Sequence, residues 1–202
     1  MDKVYPSNKD FKFFIEHWNI SYLLTSDNIS WILSQCKIIR TQRNQILSET
    51  ADKKHYFYFV CRGLLAHISY APFGKRKIIN LAYSGMALSS TIHLYSENQI
   101  SGELIALRSG AIIAIPYSSL LACHPEDPAI CALISRLVHQ QVRFLHHLRY
   151  ICWSLYPSKR YKLFIKLLPD IDRCTTQVEQ ANLLGISRSC IQQQKRKLLF
   201  QK

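Results

Sequence analysis

Thr176-Gln177-Val178-Glu179-Gln180-Ala181-Asn182-Leu183-Leu184-Gly185-Ile186-Ser187-Arg188-Ser189-Cys190-Ile191 is the stretch that decides the architecture of this 202-residue chain. Thr176 and Glu179 stand three apart, the capping-box spacing in which hydroxyl and carboxylate satisfy each other's backbone amides at a helix start. The helix they open runs to Leu184. Gly185 stops it, because glycine takes the left-handed conformation at little steric cost. Ser187 caps a following helix that carries Arg188 to about Phe200. Ala181 is small, as needed where two helices cross closely, and Ile186 and Ile191 supply apolar anchors after the turn. Together these spacings form the helix-turn-helix pattern. An ordinary amphipathic helical pair with a basic outer face is the plainer alternative.

In the helix-turn-helix reading, Ser187 to Lys197 is a recognition helix. Arg188 is placed for a bidentate contact to guanine, and Ser189, Gln192 and Gln193 are adaptable donors to bases or phosphates. Lys195, Arg196 and Lys197 lie against phosphates and supply salt-dependent affinity. Thr176 and Gln177, at the start of the first helix, complete the candidate DNA-contacting set. Gln194 occupies a position where this motif usually buries an apolar residue, and compensation is expected from Leu198 or a small rotation.

The charge supports a polyanionic partner. Lys and Arg number 26 and Asp and Glu 13, a formal net charge of +13. After Ser135, 13 basic residues face only Asp170, Asp172 and Glu179, whereas the first part carries 13 basic and 10 acidic residues. A basic C-terminal module on a nearly neutral N-terminal one is the layout of a DNA-binding regulator. No apolar run reaches the ~18 residues a spanning helix needs. The Met1–Pro6 start has no apolar core of a secretory signal. No two of the seven cysteines form C-x-x-C, so zinc and redox motifs are unsupported and reduced thiols in a cytoplasm are expected. Cys190 is the one whose oxidation would alter the recognition helix; a small half-buried residue is the simpler account. H-E-x-x-H, G-x-S-x-G and P-loop patterns are all missing, so no enzyme is expected.

Upstream, Asp127-Pro128 has the form of an N-cap with proline at the first helical position. Apolar residues then recur at Ile130, Leu133, Ile134, Leu137, Val138, Phe144, Leu145, Leu148, Ile151, Cys152 and Leu155, a helical spacing held until Pro157. Such a helix is roughly 40 Å long. It calls for a domain face or the same helix of a second subunit, and the second subunit is favoured. His139 and His146 lie two turns apart on it, with His147 beside them; their protonation below pH ~6.5 would add positive charge and tune dimerisation. A shorter helix is expected over Ser158–Leu168, ended by Pro169. Before all of these, about Trp31 to Leu121 reads as strands: His55–Val60, Leu64–Tyr70, a turn at Ala71–Gly74, Lys77–Tyr83, Gly102–Arg108 and Ala111–Ile115, with breaks at Gly63 and Ser109-Gly110. Short strands at this spacing suggest a sandwich or barrel.

Several local stretches carry a family likeness. They are Ile32-Leu33-Ser34-Gln35-Cys36-Lys37-Ile38, Phe57-Tyr58-Phe59-Val60-Cys61-Arg62-Gly63, Gly74-Lys75-Arg76-Lys77-Ile78-Ile79 and Ala82-Tyr83-Ser84-Gly85, with Arg160-Tyr161 and Leu184-Gly185-Ile186-Ser187-Arg188 after the long helix. In this order they resemble the Crp/Fnr superfamily of bacterial transcription regulators, from about Trp31 onward. The resemblance implies an α+β fold: an N-terminal double-stranded, jelly-roll-like β-roll over residues 1–127, a long dimerisation helix over 128–157, and a helix-turn-helix domain over 158–202. It implies double-stranded DNA as partner, a homodimer through helix 128–157, RNA polymerase as a further candidate partner, and no membrane.

The departures from the family pattern bear on the effector. Members that bind cyclic nucleotides carry Gly-Glu and, about ten residues on, an Arg for the phosphate. Those positions fall here at Ser89-Ser90 and Ile100-Ser101. Between Lys77 and Arg108 the only residue that can become basic is His93. A buried phosphate without a cation is poorly compensated, so cyclic AMP is not the expected ligand and the roll is expected to serve as scaffold. No cofactor is expected: N-terminal cysteines for an iron-sulfur cluster are missing before Cys36, and His67 and His93 are isolated. Few residues follow the recognition helix, leaving no room for the family's β-hairpin wing. A protein-interaction regulator with weak DNA contact is the alternative to a direct DNA reader.

Overall fold

The computed structural model describes residues 8–19, 24–49, 54–71, 75–91, 94–96, 100–123 and 127–200. The chain divides into two compact units, Met1–His67 with Leu81–Gln141, and Ile68–Asn80 with Val142–Lys202.

Among the described residues six strands form one sheet: β1 (Lys37–Thr41), β2 (Ile46–Glu49), β3 (Tyr56–Ala71), β4 (Lys75–Tyr83), β5 (Ala87–Ser89) and β6 (Glu103–Pro116). The order is β1-β6-β3-β4, with β2 also on β6 and β5 also on β3. β1 and β2 follow one another antiparallel along β6, from Lys37 opposite Ala114 to Thr41 opposite Gly110, then from Ile46 opposite Ile105 to Glu49 opposite Glu103. The corner between them is made by Asn44 at φ 66°, whose N–H donates to the Ala106 carbonyl at 2.7 Å. Asn is among the few residues that tolerate this left-handed conformation.

Two expected strand breaks are not breaks. β3 runs through Gly63 and β6 through Ser109-Gly110. The glycines mark a close approach of the two backbones: a Cβ on Gly110 would lie 2.0 Å from the Arg62 carbonyl oxygen, and Gly63 sits at φ +105° beside the Arg108 and Ser109 carbonyls. Glycine inside a strand has this second meaning. The expected turn at Ala71–Gly74 lies largely outside the described residues.

Helices cover the first unit's sheet where strands were expected at its ends. Trp31–Gln35 belong to α2 (Ser26–Gln35), and Tyr117–Leu121 to α3 (Tyr117–Cys123). α2 is started by a reciprocal cap between Thr25 and Asn28, and turns Ile29 and Ile32 inward. The sequence also holds α1 (Lys9–Asn19), which buries Phe14, Ile15 and Trp18. The Trp18 indole N–H donates to the Ala129 carbonyl at 2.8 Å. Asp10, 2% exposed, accepts from Arg40 at 2.7 Å and Arg62 at 3.2 Å, tying α1 to β1 and β3. Phe57, Phe59, Ile113 and Ile115 of the sheet share one apolar core with α1, α2 and Ile130, Leu133 and Leu137.

Those last three residues open α4 (Pro128–Trp153). Asp127 caps it as expected: Oδ1 accepts the N–H groups of Ala129 at 2.8 Å and Ile130 at 3.3 Å. The helix stops at Trp153, before Pro157, which instead opens the next helix. Its apolar residues fall on two faces rather than one. Ile130, Leu133, Leu137, Phe144, Leu148 and Ile151 are buried, whereas Val138, Val142 and Leu145 are 37%, 56% and 39% exposed. Among the described residues no helix is long and apolar enough to cross a membrane.

The second unit contains α5 (Pro157–Leu167), α6 (Pro169–Cys174), α7 (Gln177–Leu184) and α8 (Arg188–Leu199). Pro169 ends α5 as expected but also starts α6, a short helix absent from the sequence expectation. Proline fits both places because its fixed φ suits the first helical residue and its missing N–H is not needed there. Tyr161, Phe164, Ile171, Leu183, Leu184 and Ile191 form the buried side of these helices.

Candidate nucleic-acid interface

α7 and α8 take the form their caps dictate. The Thr176 N–H donates to Glu179 Oε2 at 2.8 Å, and the Glu179 N–H donates to Thr176 Oγ1 at 3.3 Å. Gly185 ends α7 at φ 62°, and the Ile186 N–H donates to the Ala181 carbonyl. The Cys190 N–H donates to Ser187 Oγ at 3.2 Å, which starts α8. Arg160 braces the turn from beneath: Nε donates to the Ser154 carbonyl at 2.7 Å and Nη1 to the Leu184 carbonyl at 3.2 Å. Nothing in the local pattern pointed to this brace beyond the Arg160-Tyr161 likeness.

On α8 the 100° step sorts side chains into two halves. Ile191 and Gln194 are buried and Leu198 is half-buried, forming the inward stripe. Arg188, Ser189, Gln192, Gln193, Arg196 and Lys197 are all exposed and contiguous on the opposite side. Ser187 and Thr176 are exposed at the two helix starts, and Gln177 is half-buried. Lys195 lies at the edge of that face. It is half-buried, with Nζ 6.0 Å from the Tyr161 ring centre, a cation–π arrangement that draws it toward the helical core. Gln194 is 5% exposed, so the polar residue lies in the inward stripe beside Ile191.

A second buried amide lies on α7. Gln180 is fully buried, and Nε2 reaches Asp172 Oδ1 at 2.9 Å and the Thr175 carbonyl at 3.3 Å, joining α6 to α7. The signal was available: position 180 lies next to Ala181, on the side of α7 that faces its neighbours.

The second unit carries 15 Lys and Arg against three carboxylates, Asp170, Asp172 and Glu179. Each carboxylate is engaged at home. Asp170 pairs with Arg173 at 3.3 Å, Asp172 accepts from Gln180, and Glu179 is spent in the cap. Asp172 Oδ1 also accepts from the Tyr161 hydroxyl at 3.5 Å, and burial, reinforced by that carboxylate, pushes the phenol's pKa up. α8 itself has four basic residues and no acid. Its outer face is therefore a surface of uncompensated positive charge interleaved with amide and hydroxyl donors, the chemistry that meets phosphates and base edges.

The first unit holds the positions of the nucleotide cassette. Ser89 and Ser90 are each 4% exposed. Ser89 Oγ donates to the Thr91 carbonyl at 2.9 Å, and Ser90 Oγ accepts the Tyr56 N–H at 3.0 Å. Thr91 Oγ1 donates to the Tyr117 hydroxyl oxygen at 3.0 Å. The hydroxyls thus close the strand ends on themselves. Ile100 is half-buried and Ser101 exposed. His67 is 3% exposed, and burial pushes its pKa down to about 4, so the ring is neutral; His93 lies outside the described residues. Among the described residues no cluster of His, Cys, Asp and Glu could hold a metal ion.

No family model and no curated protein matches this sequence. Solved structures do match. FixK2 from Bradyrhizobium japonicum aligns at TM-score 0.68 and 13% identity, over 82% of this chain and 85% of that one. CLP from Xanthomonas campestris, a c-di-GMP-responsive global regulator, aligns at 0.66 and 16%, over 88% and 93%. A CooA variant from Carboxydothermus hydrogenoformans aligns at 0.64 and 12%, over 84% and 79%. The fold is thus that of the Crp/Fnr transcription regulators, as the sequence motifs implied.

Proposed function

We propose that this chain is a cytoplasmic, DNA-binding transcription regulator of the Crp/Fnr type, a homodimer joined through α4 that sets α8 of each copy into the major groove. The observation that carries it is the exposed face of Arg188, Ser189, Gln192, Gln193, Arg196 and Lys197 on a capped helix whose unit has all its carboxylates spoken for. Arg188 reads guanine, the glutamines and Ser189 adapt to bases or phosphates, and Arg196 and Lys197 neutralise phosphates. Thr176 and Gln177 meet the backbone at the start of α7. Two copies on a two-fold axis select a palindrome with half-sites about one helical turn apart. The exposed Val138, Val142 and Leu145 supply the apolar face for the second copy.

Cyclic AMP is not the effector in this proposal. The Ser89 and Ser90 hydroxyls are engaged within the roll and no cation stands at Ile100-Ser101 to meet a phosphate. RNA polymerase is a partner to be sought once an operator is known. The test is selection from a random duplex pool with wild type and Arg188→Ala in parallel. A palindrome enriched by wild type and lost with Arg188→Ala is expected. Salt-sensitive binding with no enriched sequence would leave only a basic surface. It would favour the protein-interaction alternative, for which the exposed Trp153, Leu155 and Tyr156 at the end of α4 are the natural contact.

A further inference from the structure

α4 ends at Trp153 and α5 begins at Pro157. Ser154, Leu155 and Tyr156 link them, and Leu155 is 85% and Tyr156 62% exposed. A three-residue link with two side chains in solvent holds an angle weakly, because few packed contacts restrain it. Yet Val142 to Trp153 belongs to the same compact unit as α5, α7 and α8. The path from the exposed Val142 and Leu145 to the outward face of α8 therefore lies within one unit.

Arg160 closes that path. It stands in the first turn of α5. Among the described residues of this unit, Arg160 and Lys195 alone of the arginines and lysines are not exposed. The Arg160 fork spans the C-terminal ends of two helices. Nε donates to the Ser154 carbonyl at 2.7 Å, just past the end of α4, and Nη1 donates to the Leu184 carbonyl at 3.2 Å, the last residue of α7. Carbonyls at such ends have no partner inside their own helix and carry the negative end of its dipole. A guanidinium serves both at once because its donors diverge from one rigid plane; a lysine ammonium is a point charge on a flexible stem. The Cys152 thiol reaches the same Leu184 carbonyl only at 4.0 Å, a weaker second tie. The unit's three carboxylates are engaged with Arg173, Gln180 and the α7 cap, and none draws the fork away.

What the fork holds is the turn itself. Leu184 precedes Gly185 at φ 62°, and Ser187 caps α8 two residues later. A Cβ on Gly185 would lie 3.8 Å from Arg160 Nη1, so the guanidinium lies against the turn.

We propose that Arg160 sets the separation of the two half-sites that this protein reads. The proposal rests on the dimer reading above. With α4 of two copies paired, each Arg160 fastens the end of that helix to the turn that aims α8. The distance and angle between the two recognition helices are then set before DNA is met. One base pair added between half-sites moves the second by about 3.4 Å and turns it by roughly 35°. A fastened pair cannot follow that change. A loosened pair can, but it binds the preferred spacing less tightly because it must be ordered on binding.

Anisotropy titrations of the full chain test it on four kinds of duplex: the selected palindrome, the same site with one base pair added to its centre, with one removed, and a single half-site. Wild type is expected to lose roughly tenfold or more in affinity on either change of spacing. Arg160→Gln and Arg160→Lys are each expected to reduce that loss to within about threefold, because neither side chain spans both carbonyls. Both are expected to bind the unaltered palindrome roughly tenfold more weakly and the single half-site as wild type does. A wild type that tolerates either change of spacing would overturn the proposal, and so would variants as selective for spacing as wild type. A loss shared equally by all the duplexes would mark a residue needed only for folding and would overturn it as well. Sharp spacing kept by Arg160→Lys but lost by Arg160→Gln would overturn the two-carbonyl fork in favour of charge alone. A wild type that binds the palindrome no tighter than the single half-site would overturn the dimer reading instead.

Discussion

The two units spend their charge differently. The first carries 11 basic and 10 acidic residues and buries a carboxylate, Asp10, between two arginines. The second carries 15 basic and three acidic residues, and its carboxylates serve caps and helix junctions, while among the described residues its arginines and lysines are exposed except for Arg160 and Lys195. In the first, charge is internal structure, joining α1 to the sheet under a core rich in aromatic side chains. In the second, charge is left over. A protein can leave a face of uncompensated cations on a small helical unit only if that face meets polyanions or is well solvated, and the amides and hydroxyls among them argue for the former.

This contrast can be broken from either side. Trp18→Ala strikes the first unit's core and removes the bond to Ala129, and should cost about 3–5 kcal/mol in urea unfolding. The DNA affinity of the molecules that remain folded should be unchanged. Acid acts on the same unit. His67 is neutral when folded, its pKa about 4 against 6.5 when unfolded. The unfolded chain therefore binds the proton first, and the stabilisation is present above pH ~6.5 and lost as pH falls toward 4, up to about 3 kcal/mol. Comparing pH titrations of stability for wild type and His67→Phe isolates this share; a variant as acid-sensitive as wild type would contradict it.

Changes in the second unit should separate binding from folding. Arg188→Ala should weaken the selected duplex by about 1–3 kcal/mol while leaving the melting curve alone. Thr176→Ala removes the cap of α7 and should cost about 1 kcal/mol of stability in that unit. Lys197→Ala should give the smallest effect, a uniform loss across sequences with a salt slope lower by about one.

The helix-turn-helix was legible because each of its determinants is local. A Thr and Glu three apart, a glycine at the turn and a serine at the next start act within a few residues, and α7 and α8 follow them. What was misread depends on distant neighbours. Gly63 and Gly110 look like strand ends until β3 and β6 are laid side by side, when they prove to be where the backbones nearly touch. α1 was missed because Phe11, Phe13, Phe14 and Ile15 show no clean helical stripe; Phe14, Ile15 and Trp18 are inward only because a sheet and α4 stand there to receive them. The apolar residues of α4 read as a single stripe in the sequence, and Val142 lies outside it. Only exposure separates the residues spent within the chain from those left for a partner. The half-burial of Lys195 is also tertiary in origin, since the Tyr161 ring near its ammonium belongs to another helix.

The most direct test of the central claim is anisotropy titration of a selected palindrome and a scrambled duplex of equal length, at about 50 and 200 mM salt. Binding of the palindrome at least about a thousandfold tighter than the scramble, with both affinities falling steeply as salt rises, is the predicted result. Equal affinity for the two duplexes would contradict it, because the outward face of α8 would then be reading charge and nothing else.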